Sequence, residues 1–578
     1  MEDNTFFMVM FSIGAFMGLV TLGYVLRRAF SRQGGEIGGW ELGGAGRRIA
    51  AVARTTLAEG IRAKTASGFA LLILVSLPFF YLTAEGDGTI KGRVQMFMSY
   101  SLGFTSFILA LLTVFFACRS LSVEIASRQI YSIVSKPIAR WQIVMGKWTG
   151  VMVMNACLLF IATAATYAGS RAIVSGFKRD LAAELSTKSG LTPAQAASLV
   201  ESLDRVSGIG KPGIASPIVE KFAETLGFTT QQVFDLLLKL SEPMRVNLRR
   251  YDEVRRQVLV SRAAIAAELP DFTKFVDERY NQLREEGRLP EGWTEQRTRD
   301  QILQELGGMF CTVPRFEGRQ FVMKGPPPRR DPSFVMSIRF KIQNLGGPSE
   351  AVEVGGRTLE ENTILCVWGI GDPTKPSYLE TLDAFPINSA YEVEIPVQSV
   401  GDDGAISVVF QNMDPRNLTA VFNLEARDLE VLYRVGTFET GLVQVWLATM
   451  IPLACLAAIA VAASTFLSFP VGALICVTIY IISCSTGFLA EALAVTKDFV
   501  GIDSPGLAFE IRRMTVDSIS WVMALGDVGP VDKLIDGRAV GWAVIWDQTW
   551  KFVLLKGTLA MLIGVFTLRR REIAAVIV

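Results

Sequence analysis

The sequence predicts a membrane α-helical protein of about seven transmembrane helices with an extracytoplasmic α+β insertion, a helical part followed by an antiparallel β-sandwich of jelly-roll type. Three observations carry this. Half of the 578 residues are apolar and mean hydropathy is +0.35, and the apolar residues are clumped into long runs instead of spread at short periods. A long polar stretch with nearly balanced charge separates two groups of these runs. Late in that stretch the apolar spacing changes from helical to strict alternation.

Composition excludes several function classes. Lys plus Arg at 57 against Asp plus Glu at 56 leaves a formal charge of +1, so nothing points to nucleic acid. The absence of any His removes Ser-His and Cys-His nucleophile pairs, His-ligated metal and imidazole switches. Seven Cys form an odd set, and Cys118, Cys157, Cys455, Cys476 and Cys484 lie in or beside apolar runs, which argues against a disulfide scaffold. Cys311 and Cys366 stand in polar sequence, and whether they pair is open at this level.

A bilayer core takes roughly 20 apolar residues as a helix. Runs of that kind lie at about Phe6–Leu26, Phe69–Thr83, Met96–Cys118, Val151–Ser170, Leu442–Phe466, Val471–Leu489 and Trp550–Leu568. The first is expected to be a span and not a secretory leader, because Met1-Glu2-Asp3 is acidic and no small-residue cleavage site follows Leu26. Basic short loops then orient the chain. Arg27 to Lys64, Arg119 to Lys147 and Arg569-Arg570-Arg571 fall on one side only if all seven runs span. That side is expected to be cytoplasmic, with the N-terminus outside and the C-terminus inside.

The expected divisions follow the chain. Residues 1–46 hold the extra N-terminal helix and a basic linker, and 47–170 an interfacial helix, three spans and a cytoplasmic elbow at 119–147. An extracytoplasmic helical region occupies 171–325 and a β-sandwich 326–437. Three more spans, with an outward segment at 490–549, fill 438–578. In the interfacial helix Ile49, Val52, Ala53, Leu57 and Ile61 recur at helical spacing among Arg47, Arg48, Arg54, Arg62 and Lys64, which predicts an apolar face down and basic residues at lipid phosphates.

The elbow mixes apolar and charged residues, from Glu124 and Arg128 through Lys136-Pro137 to Arg140, Gly146 and Lys147. Pro137 disfavours helix at Lys136, so a short helix, a turn and a second helix from Ala139 are expected. Such a segment is too apolar to float free and too charged to insert; it needs a partner's surface.

Ser-Lys-Pro-Ile-Ala-Arg-Trp-Gln-Ile-Val-Met-Gly-Lys at 135–147 resembles the coupling segment of ABC-2 type transporter permeases. The preceding interfacial helix and the later spans are similar to that family too, and Ser468-Phe469-Pro470 resembles its nitrous-oxide-accessory branch. The sequence departs in carrying Ser127-Arg128-Gln129-Ile130 where small Gly-Thr residues are usual, an extra leading span and a large insertion. The resemblance implies an inner-membrane transport subunit, paired as a homodimer or heterodimer, that couples to a separate cytoplasmic ATPase through Glu124, Arg128, Lys136, Pro137, Arg140, Gly146 and Lys147. Export is the family's usual direction. No Gly-x-x-x-x-Gly-Lys-Ser/Thr loop occurs, since Gly146-Lys147 is followed by Trp148 and Gly210-Lys211 by Pro212, so ATP and magnesium are expected on the partner and no cofactor here. The rival expectation is a scaffold or mechanotransmitting protein that acts on an envelope partner through its outward domain.

In the insertion, Thr192-Pro193-Ala194-Gln195 and Thr229-Thr230-Gln231-Gln232 each match a capping box. A long helical stretch is expected from about Val246 to Glu286, broken near Pro270, with Pro326-Pro327-Pro328 a stiff linker. Strands are expected at Phe334–Ile342, Thr363–Trp368, Tyr391–Val397, Ile406–Phe410, Leu418–Phe422 and Leu429–Tyr433. Trp368 is expected in the core.

Polar residues in spans are costly unless paired or wet, which singles out Asn155 and Lys556, with Glu491 at an outer mouth, as pathway residues. Asp402-Asp403 and Glu360-Glu361 lack calcium-loop spacing and fit solvated turns. Met8, Met10, Met17, Met152 and Met154 suit packing better than soft-metal transport. Gly14 and Gly18 form a G-x-x-x-G that could dock the first helix on a neighbour.

Overall fold

The structure is a computed structural model that describes residues 44–62, 65–129, 138–188, 191–202, 524–525, 529–570 and, with short internal omissions, 224–499. The expected first span, Lys136, Pro137, the triple proline and Asp402-Asp403 lie outside these residues. Helices, in chain order, are α1 (Gly44–Arg62), α2 (Thr65–Thr83), α3 (Ile90–Ala126), α4 (Arg140–Lys188), α5 (Pro193–Ser202), α6 (Glu242–Arg249), α7 (Thr273–Glu285), α8 (Glu295–Cys311), α9 (Phe438–Ala463), α10 (Phe469–Phe499), α11 (Pro530–Ile535) and α12 (Trp542–Arg570). The chain divides into two compact units: 1–196 with 238–259 and 437–578, and 197–237 with 260–436.

In the first unit α3, α4, α9 and α12 are each long and apolar enough to cross a membrane. A fifth crossing is added if α1 and α2, which meet at a 66° bend, count as one broken span, and α10 contains the shorter apolar stretch Phe469–Ser485. α4 runs 49 residues without a break, so helix continues well past Ser170, where the polar composition begins. α3 starts at Thr89, whose hydroxyl accepts from Gly92 N at 3.0 Å while Asp87 accepts from the Thr89 amide and hydroxyl. The unit's core joins Leu109, Cys118 and Leu121 of α3 to Val144 and Val151 of α4 and to Leu456, Ala457 and Val461 of α9. The alanines of α9 let several helices approach its backbone, the usual means of association in lipid, where apolar burial gives no drive. The tight turn between α9 and α10 lies at 464–467, just ahead of Ser468, and Phe469-Pro470 open α10.

The second unit is built on strands β1 (Val260–Ala266), β2 (Thr312–Val313), β3 (Gly318–Lys324), β4 (Val335–Lys341), β5 (Gln343–Asn344), β6 (Val352–Val354), β7 (Arg357–Leu359), β8 (Thr363–Ile370), β9 (Leu379–Pro386), β10 (Ala390–Pro396), β11 (Ala405–Asn412), β12 (Ala420–Val421) and β13 (Leu429–Thr437). Two four-stranded sheets, ordered β1-β13-β4-β10 and β3-β11-β8-β9, turn alternate residues into one shared core. Trp368 sits in its middle, 1% exposed, with ring centroids of Phe340 at 4.3 Å and Phe410 at 4.9 Å. The strands expected from alternation are present, although β12 is shorter than expected.

Two expectations change and one open question is answered. Val260–Ala266 is a strand, not part of a long helix: its Ala-rich sequence favours helix locally, but pairing beside β13 decides. β1 and β3 precede residue 326, so the sheet-bearing region begins at 260. Cys311 and Cys366 are both free and buried. Both capping boxes form, with Gln195 N to Thr192 Oγ1 and Gln232 N to Thr229 Oγ1 each 3.4 Å, and with both glutamine side chains returning to the threonine amides.

Candidate coupling site

One end of the first unit gathers the C-terminal ends of α1, α3 and α12 and the start of α4. α1 is amphipathic, but the face expected to lie in lipid packs on α4: Val52, Thr56, Leu57 and Gly60 are buried, whereas Ile61 is 57% exposed. Close approach explains this. A Cβ on Gly146 would stand 2.6 Å from Val52 Cβ and 3.0 Å from the Ile49 carbonyl oxygen, and one on Gly150 2.9 Å from the Ala53 carbonyl oxygen. Gly146-x-x-x-Gly150 is therefore the seam on which α1 lies. The motif is visible in the sequence, but the elbow pattern claims Gly146 for a different role.

Lys147 lies between these glycines with no exposed side-chain surface, and it ion-pairs with Glu124 of α3 and, at 3.3 Å, with Glu59 of α1. Glu124 Oε2 is buried with no hydrogen-bond partner among the described residues, so Lys147 alone compensates that carboxylate. One cation thus joins three helices. Arg140, at the first turn of α4, donates to the Leu568 carbonyl of α12, and Thr465 and Thr567 hydroxyls meet at 2.6 Å.

The expected elbow residues separate into two sets. Glu124, Gly146 and Lys147 are internal and position helices; a docking face is not open to them. Arg128 is exposed and Arg140 half-buried. Arg128 ends α3 in the left-handed region, φ 60°, where glycine is unstrained, and this is the stretch in which the resembling family carries small residues.

The expected pathway residues Asn155 and Lys556 each have contacts of their own. Asn155 is fully buried and its Nδ2 donates to Thr113 Oγ1 at 2.7 Å, while its Oδ1 has no partner among the described residues. Lys556 lies in a π-helical turn of α12, Thr549–Gly557, donating to the Ala524 carbonyl at 2.9 Å and 4.9 Å from the Phe552 ring. π-Turns within helices often mark functional positions. Glu491 is on α10, and its side chain is outside the described residues.

Long apolar helices tied at one end by a buried ion pair, with a strand-rich insertion in the chain, define an integral membrane protein. Residues 47–200 match the family described as ABC-2 family transporter protein. No curated protein and no solved structure matches the chain.

Proposed function

We propose that the chain is the permease subunit of an ATP-binding cassette exporter, driven by a separate ATPase that holds the ATP and magnesium. The observation that carries this reading is the three-helix tie at Lys147, which lies where the family match covers α1, α3 and the start of α4. In this reading the basic end is cytoplasmic, the N-terminus is outside, the C-terminus is inside, and the protein sits in the inner membrane as a homodimer or heterodimer. Arg128, Lys136, Pro137 and Arg140 meet the ATPase; Glu124, Gly146 and Lys147 pass its movement to the helices. Asn155, Glu491 and Lys556 belong to the pathway. Alternating access would follow from rearrangement of these helices.

Seven spans and a jelly roll are part of the same reading. Numbered along the chain, the eight long strands run 1-8-3-6 in one sheet and 2-7-4-5 in the other, an order that supports two interlocked Greek keys.

The test is co-purification with a candidate ATP-binding cassette ATPase and measurement of its turnover in proteoliposomes. Arg128→Glu and Pro137→Ala should weaken association or uncouple hydrolysis, since losing a buried charged hydrogen bond costs about 2 kcal/mol or more. Arg140→Glu is less clean, because Arg140 also holds α12. Arg47→Glu, on the exposed face of α1, should spare association. Unchanged association and turnover in both elbow variants would reject the coupling assignment.

A second reading, movement transmitted to an envelope partner without transport, is favoured by one observation: β13 ends at Thr437 and α9 begins at Phe438, with no residue between.

A further inference from the structure

Four elements of the helical first unit enclose a cavity of about 450 Å³, part of it open to the outside. Ser106 and Ala110 line it from α3, Thr449 and Pro452 from α9, and Tyr480 from α10. Ser106 and Ala110 flank the midpoint of α3, and Thr449 and Pro452 flank that of α9. The cavity therefore stands halfway along two membrane-crossing helices. Its volume lies within the range of ligand sites, about 300–1,000 Å³.

The fourth wall is not a spanning helix. Leu525, with Pro530 and Val531 at the start of α11, closes the cavity, and Leu525 is 1% exposed. Irregular backbone at that depth needs internal partners, because lipid offers none. Two are present: the Leu525 amide donates to Ser483 Oγ of α10 at 3.0 Å, and the Ala524 carbonyl accepts from Lys556 of α12 at 2.9 Å. Lys556 thus holds the wall without lining the cavity.

The lining selects an apolar occupant. Among the described residues no charged side chain reaches the cavity, and Leu453, Leu456 and Leu525 are part of its wall. Its serines are already engaged: Ser106 Oγ donates to the Leu102 carbonyl at 2.8 Å, and Ser483 is held by Leu525. An apolar cavity of this kind stays dry and takes apolar guests. Pro452 has no amide to offer the Ala448 carbonyl, so α9 can widen at this level without breaking a helical hydrogen bond.

The mouth shows where such a guest comes from. Phe107, next to Ser106, is 47% exposed with its ring 6.4 Å from that of Tyr480, and Ile481 beside Tyr480 is exposed too. The cavity is thus continuous with the outer apolar surface of α3 and α10, and the medium around a spanning helix at mid-length is hydrocarbon. We infer that the cavity receives the acyl chain of a membrane lipid, which enters sideways past Phe107 and Tyr480. Only the further step, that the transported cargo is of this chemical class, rests on the permease reading.

Photolabelling of the full chain tests the site. The probe is a phosphatidylcholine with a diazirine midway along one acyl chain, diluted into phosphatidylcholine nanodiscs, and adducts are mapped by mass spectrometry. Thr449, Leu453 and Leu456 are buried, so lipid on the outer surface does not touch them, whereas Leu559 and Leu562 of α12 are exposed and report that outer lipid. Adducts are expected in both sets. Ala110→Phe fills the cavity and should lower adducts on Leu453 by about tenfold or more, the loss of room for about two methylene groups, with Leu559 and Leu562 unchanged. Leu453→Ala widens the cavity and should raise adducts on Thr449 and Leu456; it carries the test alone if Ala110→Phe does not fold.

Adducts confined to exposed residues would overturn the proposal, as would adducts on the buried set that neither substitution alters. Loss of labelling around Phe107 and Ile481 in discs that hold two copies would assign this face to a second copy of the chain instead. No ATPase is present, so each of these failures strikes the lipid site and leaves the permease reading to its own co-purification test.

Discussion

Lys147 Nζ and the Glu124 carboxylate are ion-paired inside the helical unit, the lysine side chain fully buried and the glutamate side chain 7% exposed, with Glu59 a half-exposed second acceptor at 3.3 Å. The two acceptors differ in what their loss should do. Lys147→Met leaves the buried Glu124 carboxylate uncompensated and should destabilise the chain by about 3–5 kcal/mol. Glu59→Gln removes a pair with a solvated partner and should cost at most about 1 kcal/mol. Thermal unfolding of the purified chain in detergent separates the two, and equal losses would contradict the geometry.

The α1–α4 seam predicts a contrast between glycines. Gly146→Ala forces a Cβ to within 2.6 Å of Val52 Cβ, so α1 must shift, at a cost of about 1–3 kcal/mol. Gly103→Ala in α3 meets nothing within 4 Å and should be neutral or stabilising by up to about 1 kcal/mol, from helix propensity. The same unfolding measurement decides.

Arg128→Gly should split stability from coupling. Glycine relieves the left-handed backbone at φ 60°, worth about 1 kcal/mol, and removes an exposed charge that the proposed docking uses. Higher melting temperature with weaker ATPase association is the expected pair of results. Parallel gains in both would remove Arg128 from the docking surface.

Asp414 gives the strand-rich unit a pH dependence. Burial works against its charge, but hydrogen bonds from the Arg416 side chain and from the Leu365 and Arg416 amides outweigh that and hold the carboxyl below the usual carboxylate range. Its contribution is therefore complete above the unfolded value of about 3.9 and is lost as pH falls through the lower folded value. A fragment Val260–Gly436 should be soluble, give a mixed helix and strand spectrum, and unfold on acidification below about pH 4. Asp414→Asn should flatten that acid limb; an unaltered limb would assign it to other groups.

How much of this was legible depended on whether the signal was local. Long apolar runs announced α3, α4 and α9, because a lipid solvent demands them, and alternation announced β4, β8, β10 and β11, because each turns one face to the core. β1 was hidden: Ala263, Ala264 and Ala266 favour helix, and only its neighbour β13, far along the chain, makes it a strand. The elbow pattern drew attention to Lys147 but placed it on a surface. Its burial depends on Glu124 and Glu59, whose approach no spacing encodes. Asn155 was singled out as an unusual polar residue within a span, and its partner Thr113 came only from the packing of α3 on α4.

The direct junction of Thr437 and Phe438 also limits how this chain can be altered by insertion. One extra residue there would turn all of α9 by about 100° and advance it by about 1.5 Å relative to β13. Exchange of the strand-rich segment with that of a relative should therefore tolerate no length change at this boundary. An epitope tag belongs elsewhere, for instance between β6 and β7, where a short hairpin connection can lengthen without rotating a membrane helix.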